Sequence, residues 1–185
     1  MENNPTFDQV LAAQNISIQF QIQHWLKHEL FTPQFWLLII ILIIPWLLWW
    51  RWVDKKRLLE IIIYGLIMST LVTILDELGC QLNLWEYRYD IEPLFPRFIP
   101  MNCTLLPVLY MLIYQYFSEW KSYLIANMAL AAIFTFVGEP LLKVINIYVL
   151  LKWEHIYSFP IYILLALLVK LAVNSIIKVH NQAIR

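Results

Sequence analysis

Five runs of apolar residues, each long enough or nearly long enough to cross a bilayer as a helix, organise this chain: Phe35 to Trp50, Leu58 to Leu75, Pro100 to Phe117, Ser122 to Val137 and Tyr157 to Ile177. A hydrocarbon core of about 30 Å takes about 20 apolar residues as α-helix, so the shorter runs must borrow flanking residues to span. Hydrophobic residues make up 61% of the 185 and charged residues 14%, against roughly 45–50% and about 25% in an average soluble domain. That much apolar side chain exceeds what a soluble globule of this size can bury. The expected fold is all-α, a polytopic membrane helix bundle of about five transmembrane helices with the lipid bilayer as its principal partner. No Gly/Ser linker, repeat or low-complexity tract divides the chain, so 31–185 reads as one transmembrane helical domain.

Charge sets the expected orientation. The first run is followed by Arg51, Lys55, Lys56 and Arg57, and basic residues beside a span are retained in the cytoplasm. The N-terminus then falls outside. After five spans the C-terminus, with Lys178 and Arg185, falls inside, as does the short turn at Lys121. Seven Lys/Arg lie inside in this arrangement and five outside, with Lys170 inside a span, so the inverted arrangement is disfavoured. The formal net charge of zero leaves no basic excess for nucleic acid.

Residues 1–30 are polar, without a basic n-region ahead of an apolar h-region, and so lack the pattern of a cleavable signal. Phe7, Val10, Leu11, Ile18, Ile22, Trp25 and Leu26 recur at roughly helical spacing, as in an amphipathic extracytoplasmic helix on the outer surface; a disordered tail is the alternative. Trp46, Trp49, Trp50 and Trp52 predict an inner aromatic belt, and Trp85, Tyr87, Tyr89, Trp153 and Tyr157 a matching outer one. Between Asp76 and Ile99 lies the longest outer connection. At Glu139-Pro140 the proline ends a span or starts a new helix at its first turn, and Leu141 to Leu151, too short to cross, is expected to form an interfacial or re-entrant helix. Cys80 and Cys103 both fall near the outer face, where they form one disulfide or stay two unrelated thiols.

Three runs carry small or polar residues about four apart, which stacks them on one helix face. They are Gly65, Ser69, Thr73 and Asp76/Glu77; Asn127, Ala131, Thr135 and Glu139; and Tyr162, Ala166, Lys170 and Asn174. Such faces pack against other helices, because small residues permit close approach and polar ones are not left in lipid.

Chemistry-bearing motifs are few. Three glycines exclude a phosphate-binding loop, a dinucleotide fingerprint and a Gly-x-Ser-x-Gly elbow, so no cofactor is expected. His24 and His28 stand beside Glu29 in the wrong order for a His-Glu-x-x-His helix, and no His/Cys cluster offers a metal site. What remains is a set of ionisable residues at the outer helix ends: Asp76, Glu77, Arg97, Glu139, Lys143, Glu154 and His155. Asp76 and Glu139 each continue an inward stripe and are the foremost ligand-binding candidates; Arg97 or Lys143 is the expected counter-cation. Lys170, an intramembrane charge, is expected to snorkel to the inner interface or to pair with Glu60.

The segments Leu84-Trp85-Glu86-Tyr87, Phe95-Pro96-Arg97-Phe98-Ile99-Pro100, Tyr110-Met111-Leu112-Ile113-Tyr114-Gln115-Tyr116-Phe117, Glu139-Pro140-Leu141 and Tyr157-Ser158-Phe159-Pro160-Ile161-Tyr162 resemble a family of small multi-pass membrane proteins of endospore-forming Firmicutes. That resemblance covers roughly 35–178. It implies a bacterial cell membrane and a link to sporulation, and brings no established activity. Asp76 followed by Trp85-x-Tyr87 is also faintly similar to small membrane lycopene cyclase domains, although Phe95-Pro96-Arg97 stands where those domains carry paired acids. Three functional classes follow. The first is a non-enzymatic structural or accessory membrane protein, the second an intramembrane enzyme or lipid- or isoprenoid-binding protein using Asp76, Glu139 and Arg97. The third is a small transporter acting as a homo-oligomer or with other membrane proteins.

Overall fold

The structure, a computed structural model, describes residues 4–94 and 96–183. Phe95 of the proline-rich loop and Arg185 of the inner charges lie outside the described residues. Of the described residues 79% are helical. Helix α1 (Phe7–His24) continues into a π-helical turn, Trp25–Glu29, and is followed by α2 (Pro33–Trp52) and α3 (Leu58–Gln81). A π-helical turn, Pro100–Leu105, leads into α4 (Leu106–Tyr116); α5 (Trp120–Ile133) runs through another, Phe134–Gly138, into α6 (Glu139–Val144). Helix α7 (His155–Ala183) closes the bundle. Among the described residues four helices are long and apolar enough to cross a membrane: Pro33–Trp52, Lys55–Gln81, Trp120–Val144 and His155–Ala183. The third run of the expected five is shorter, six residues of π-helix and eleven of α-helix.

Local chemistry accounts for the helix starts. Thr6 caps α1 in a reciprocal box with Gln9, and Thr32 accepts the Phe35 amide at 3.2 Å with Pro33 in the first helical position. The N-terminal segment is therefore a helix and not a disordered tail, although none of α1 is buried. Pro140 stands in the first turn of α6, as a proline starting a helix does, and does not end the span, which runs on from Trp120 to Val144. The wide turn at Phe134–Gly138 precedes it, and a widened turn absorbs the missing N–H and the ring.

Helices α3 and α6 stop in the same way. Asn83 and Asn146 adopt left-handed conformations, φ 54° and 60°; the next amides, Leu84 and Ile147, reach back to the carbonyls of Gly79 (3.0 Å) and Leu142 (2.9 Å). Both are Schellman caps, with asparagine tolerating the left-handed region. Each cap turns the chain into a three-residue strand, β1 (Trp85–Tyr87) and β2 (Tyr148–Leu150), which pair antiparallel with Tyr87 opposite Tyr148. Leu141 to Leu151 is thus no interfacial helix: its first residues complete α6 and its last form β2.

The inward stripes meet in the core. Asn127, Ala131 and Thr135 are fully buried on α5 and the turn after it, and Ala166 and Lys170 are buried on α7. Tyr64 and Tyr123 share a hydroxyl hydrogen bond of 2.7 Å, and Tyr123 donates to the Ala166 carbonyl at 2.7 Å, so buried phenols tie α3, α5 and α7 together. Lys170 does not pair with Glu60. Its ammonium donates to the Phe117 and Ser118 carbonyls (3.3 and 2.8 Å) and lies 3.9 Å from the Tyr123 ring centroid, while Glu60 takes Arg57 (2.8 Å) and Tyr114 (2.6 Å). The carbonyls that end α4 supply the partial negative charge this cation needs. Outward faces of the helices carry Ile40, Leu47, Leu66, Leu168 and other exposed aliphatics, as a lipid-facing surface requires.

Candidate functional site

Asp76 sits in the last turns of α3, held back from solvent at 8% exposure. In a strand, alternate side chains share a face, and in β1 that face carries Trp85 and Tyr87. Both reach Asp76: the indole donates to Oδ1 at 2.9 Å and the Tyr87 hydroxyl to the same oxygen at 2.6 Å. Glu86, between them, points the other way and pairs with Arg97. Asn102, from the π-helical turn before α4, donates to Asp76 Oδ2 at 2.7 Å and to the Arg97 carbonyl at 3.0 Å. Three separate segments therefore meet at one carboxylate, and every donor to it is neutral.

Glu139, 7% exposed, stands where the π-helical turn passes into α6. Its Oε2 lies 2.8 Å from His155 Nδ1 and its Oε1 accepts the Tyr162 hydroxyl at 3.0 Å. Asp76 and Glu139 line one cavity of about 100 Å³, whose walls combine aromatic residues, among them Tyr87, Phe98, Tyr148, Trp153 and Tyr162, with aliphatic ones such as Val72 and Leu142. Tyr148 lies within electrostatic reach of both acids. Burial first, then the Glu139 and Asp76 carboxylates, push its phenol above the usual range, so it stays a neutral donor. Phe98 holds its wall position in a left-handed conformation, φ 52°, fixed by the Asp90 carboxylate on its amide (2.5 Å) and by stacking on Tyr87 with centroids 4.1 Å apart.

The sequence candidates divide accordingly. Asp76 and Glu139 come together as expected, but neither expected counter-cation joins them. Arg97 is held by Glu86 and, at 3.9 Å, by Glu77; Lys143 is exposed on α6. Glu77 faces Arg97 and lines none of the cavity, and Lys170 lies on the far half of α7. Trp85, Tyr87 and Trp153, expected as an outer aromatic belt, turn inward instead: Trp85 and Trp153 meet edge to face at 5.1 Å and the Trp153 indole donates to Ser158 at 3.0 Å. Asn102 is a site residue that sequence reasoning misses. Its only signal is a polar residue between Pro100 and Thr104 at the head of an apolar run. Cys80 and Cys103 are free thiols, with Cys103 Sγ 3.9 Å from the Thr73 hydroxyl. Among the described residues no three His, Cys, Asp or Glu side chains gather as a metal site.

A second acidic group ties the N-terminal segment to the long loop. Trp25 Nε1 donates to the Asp90 carbonyl at 3.1 Å, and the Asp90 amide donates to Glu29 Oε2 at 2.8 Å. Burial raises both carboxyls, Asp90 to about 7, against the opposing hydrogen bonds from backbone amides. His24, Glu86, Arg88, Glu92 and Arg97 surround the same recess. An acid raised on docking favours the docked state while protonated. Docking of the N-terminal segment is therefore expected to be firmest below the ordinary carboxyl range near pH 4 and to weaken as pH rises to about 7, then level off. A fluorine label on Trp25, followed by NMR from pH 4 to 8, should report this transition, and Asp90→Asn should flatten it. A wild-type signal constant across that range would sink the expectation.

Compared with family models, curated proteins and solved structures, the chain matches none.

Proposed function

We propose that this chain is a small, non-enzymatic accessory protein of a bacterial cell membrane that holds a small ligand between Asp76 and Glu139. The observation that carries the reading is the pair of buried carboxylates facing one aromatic-walled cavity. Two carboxylates buried at one cavity with only the His155 imidazole as a basic neighbour are costly to fold around, and such groups are candidates for a functional site. The resemblance to the Firmicutes family supports a role linked to sporulation.

Five crossings fit the bundle. The Pro100–Tyr116 helix rises about 25 Å at 1.5 Å per residue, near the thickness of a hydrocarbon core, and its faces pack against α2 and α3. Basic residues Arg51, Lys55, Lys56 and Arg57 gather at the end opposite the cavity, so the cavity opens at the outer leaflet and the C-terminus lies inside. A reporter fused after Arg185 should be active only in the cytoplasm; activity confined to the outside would reverse the orientation.

A second reading has its own observation. The Glu139 carboxylate on His155 Nδ1 is the arrangement that orients an imidazole for proton transfer, which favours an intramembrane enzyme. Native mass spectrometry of the detergent-extracted protein distinguishes the cases. The binding reading expects a small molecule bound one to one and lost from Asp76→Asn and Glu139→Gln. An apo spectrum, together with no thermal stabilisation by a membrane extract, would reject it.

A further inference from the structure

The chemistry of the cavity narrows the ligand class, an inference that rests on the binding reading above. Asp76 accepts three hydrogen bonds, all from the neutral donors Trp85, Tyr87 and Asn102. A carboxylate has about four acceptor sites, so one remains, and its negative charge is not matched by any of the three. Glu139 uses two of its sites, on His155 and Tyr162. The nearest guanidinium, Arg97, is already held between Glu86 and Glu77. No lysine or arginine lines the cavity among the described residues. With both acids ionised, even a protonated His155 on Glu139 leaves one carboxylate unmatched, so the charge balance is negative.

The walls add a second, independent preference. Tyr87, Tyr148, Trp153 and Tyr162 line the space together with Phe98 and Phe134, interleaved with aliphatic residues such as Val72, Leu142 and Leu165. Aromatic faces carry negative electrostatic potential, and rings arranged around a cavity attract ammonium groups, quaternary ones included. An anion would meet two carboxylates, and is excluded. A neutral apolar group would fill the space without satisfying either acid. Size sets the last limit. A cavity of 150 Å³ accepts benzene, with six heavy atoms. By the same scale about 100 Å³ takes roughly four, near the size of a tetramethylammonium ion.

The geometry points to a binding site for a small ammonium head group, held by Asp76 and Glu139 inside the aromatic walls. The same chemistry is carried by free amines and by the ammonium of an ethanolamine lipid, whose chains would leave through the open side of the cavity into the outer leaflet.

Tryptophan fluorescence of the purified protein in detergent, with Trp85 and Trp153 beside the site, measures this directly. Tetramethylammonium and an uncharged near-isostere with the same number of heavy atoms, tert-butanol, are titrated in parallel. The expected result is saturable binding of the cation at least ten times tighter than that of the isostere. Glu139→Gln, which keeps its shape and hydrogen bonds, should remove most of that preference; it serves as the variant of choice because Asp76→Asn disturbs the fold. Repeating the titration in nanodiscs of phosphatidylglycerol, with and without phosphatidylethanolamine, identifies the source. A weakened apparent affinity for tetramethylammonium in the mixed discs shows the lipid head group competing; an unchanged affinity points to a free amine. Equal binding of cation and isostere would overturn the ammonium class while leaving a binding site in place. No saturable binding of either, with no ligand travelling with the protein in native mass spectrometry, would overturn the site as well.

Discussion

Gly79→Ala is expected to lower stability by about 1–4 kcal/mol, a large effect for one methyl group. Gly79 lies in the last turns of α3, and a Cβ there would stand well inside van der Waals distance of Trp85 Cζ2 and Cη2. The indole has nowhere to retreat. Its Nε1 is bound to Asp76 and its face meets Trp153 edge on. Moving it strands the indole N–H, takes from Asp76 Oδ1 one of its two donors and opens the cavity wall. Helix propensity works in the opposite direction, favouring alanine by about 1 kcal/mol, so any net loss reports the steric clash. Gly65→Ala provides the internal comparison. A Cβ at Gly65 also overlaps a neighbour, but that neighbour is the thioether of Met111, which can turn aside. The order of stability expected from denaturant titration in mixed micelles is wild type and Gly65→Ala close together, with Gly79→Ala well below. A Gly79→Ala protein as stable as wild type would mean that Trp85 is not fixed on Asp76.

The reasons some of this is legible in the amino-acid sequence and some is not are physical. Apolar runs announce membrane helices because a bilayer imposes length and composition together, and four of the five runs form helices that meet both requirements. The inward stripes are readable for a similar reason: four-residue spacing fixes one face, and Asn127, Ala131, Thr135 and Glu139 are buried along it. Asp76 and Glu139 stand out because each ends such a stripe. Their surroundings do not, since they depend on contacts far apart in the chain. Strands β1 and β2 are three residues each and separated by about sixty positions, too short for a period-two pattern to show. Without that pairing, Trp85 and Tyr87 look like interfacial anchors, and Arg97 looks like the free cation nearest Asp76. Pairing turns the aromatics onto the acid and leaves Glu86 to take the arginine. The two asparagine caps are visible as residues but not as caps, because asparagine in a left-handed position is distinguishable only once the preceding helix is known to stop there.

The second large effect separates the two acids. Asp76→Asn is expected to destabilise the protein by about 1–3 kcal/mol, the cost of one stranded buried donor, whereas Glu139→Gln should stay near wild type. The difference lies in what surrounds each group. With the oxygen of the substituted amide facing Trp85 and Tyr87, its NH₂ group meets the amide of Asn102, donor against donor. Asn102 cannot turn over freely, because its Nδ2 also donates to the Arg97 carbonyl at 3.0 Å. With the new amide reversed, Tyr87 can rotate its hydroxyl to accept, but the indole N–H of Trp85 has no acceptor lone pair to offer. One donor is left unpaired either way. At Glu139 the partners adapt: His155 can present Nδ1 as donor or acceptor according to tautomer, and Tyr162 still finds an oxygen. Thermal unfolding in detergent should therefore place Asp76→Asn clearly below Glu139→Gln, while both lose the preference for an ammonium ligand. Loss of binding without loss of stability in Glu139→Gln is the signature of a site; equal destabilisation by both changes would instead make the two carboxylates parts of the scaffold, and stability unchanged by Asp76→Asn would contradict the three-donor cage.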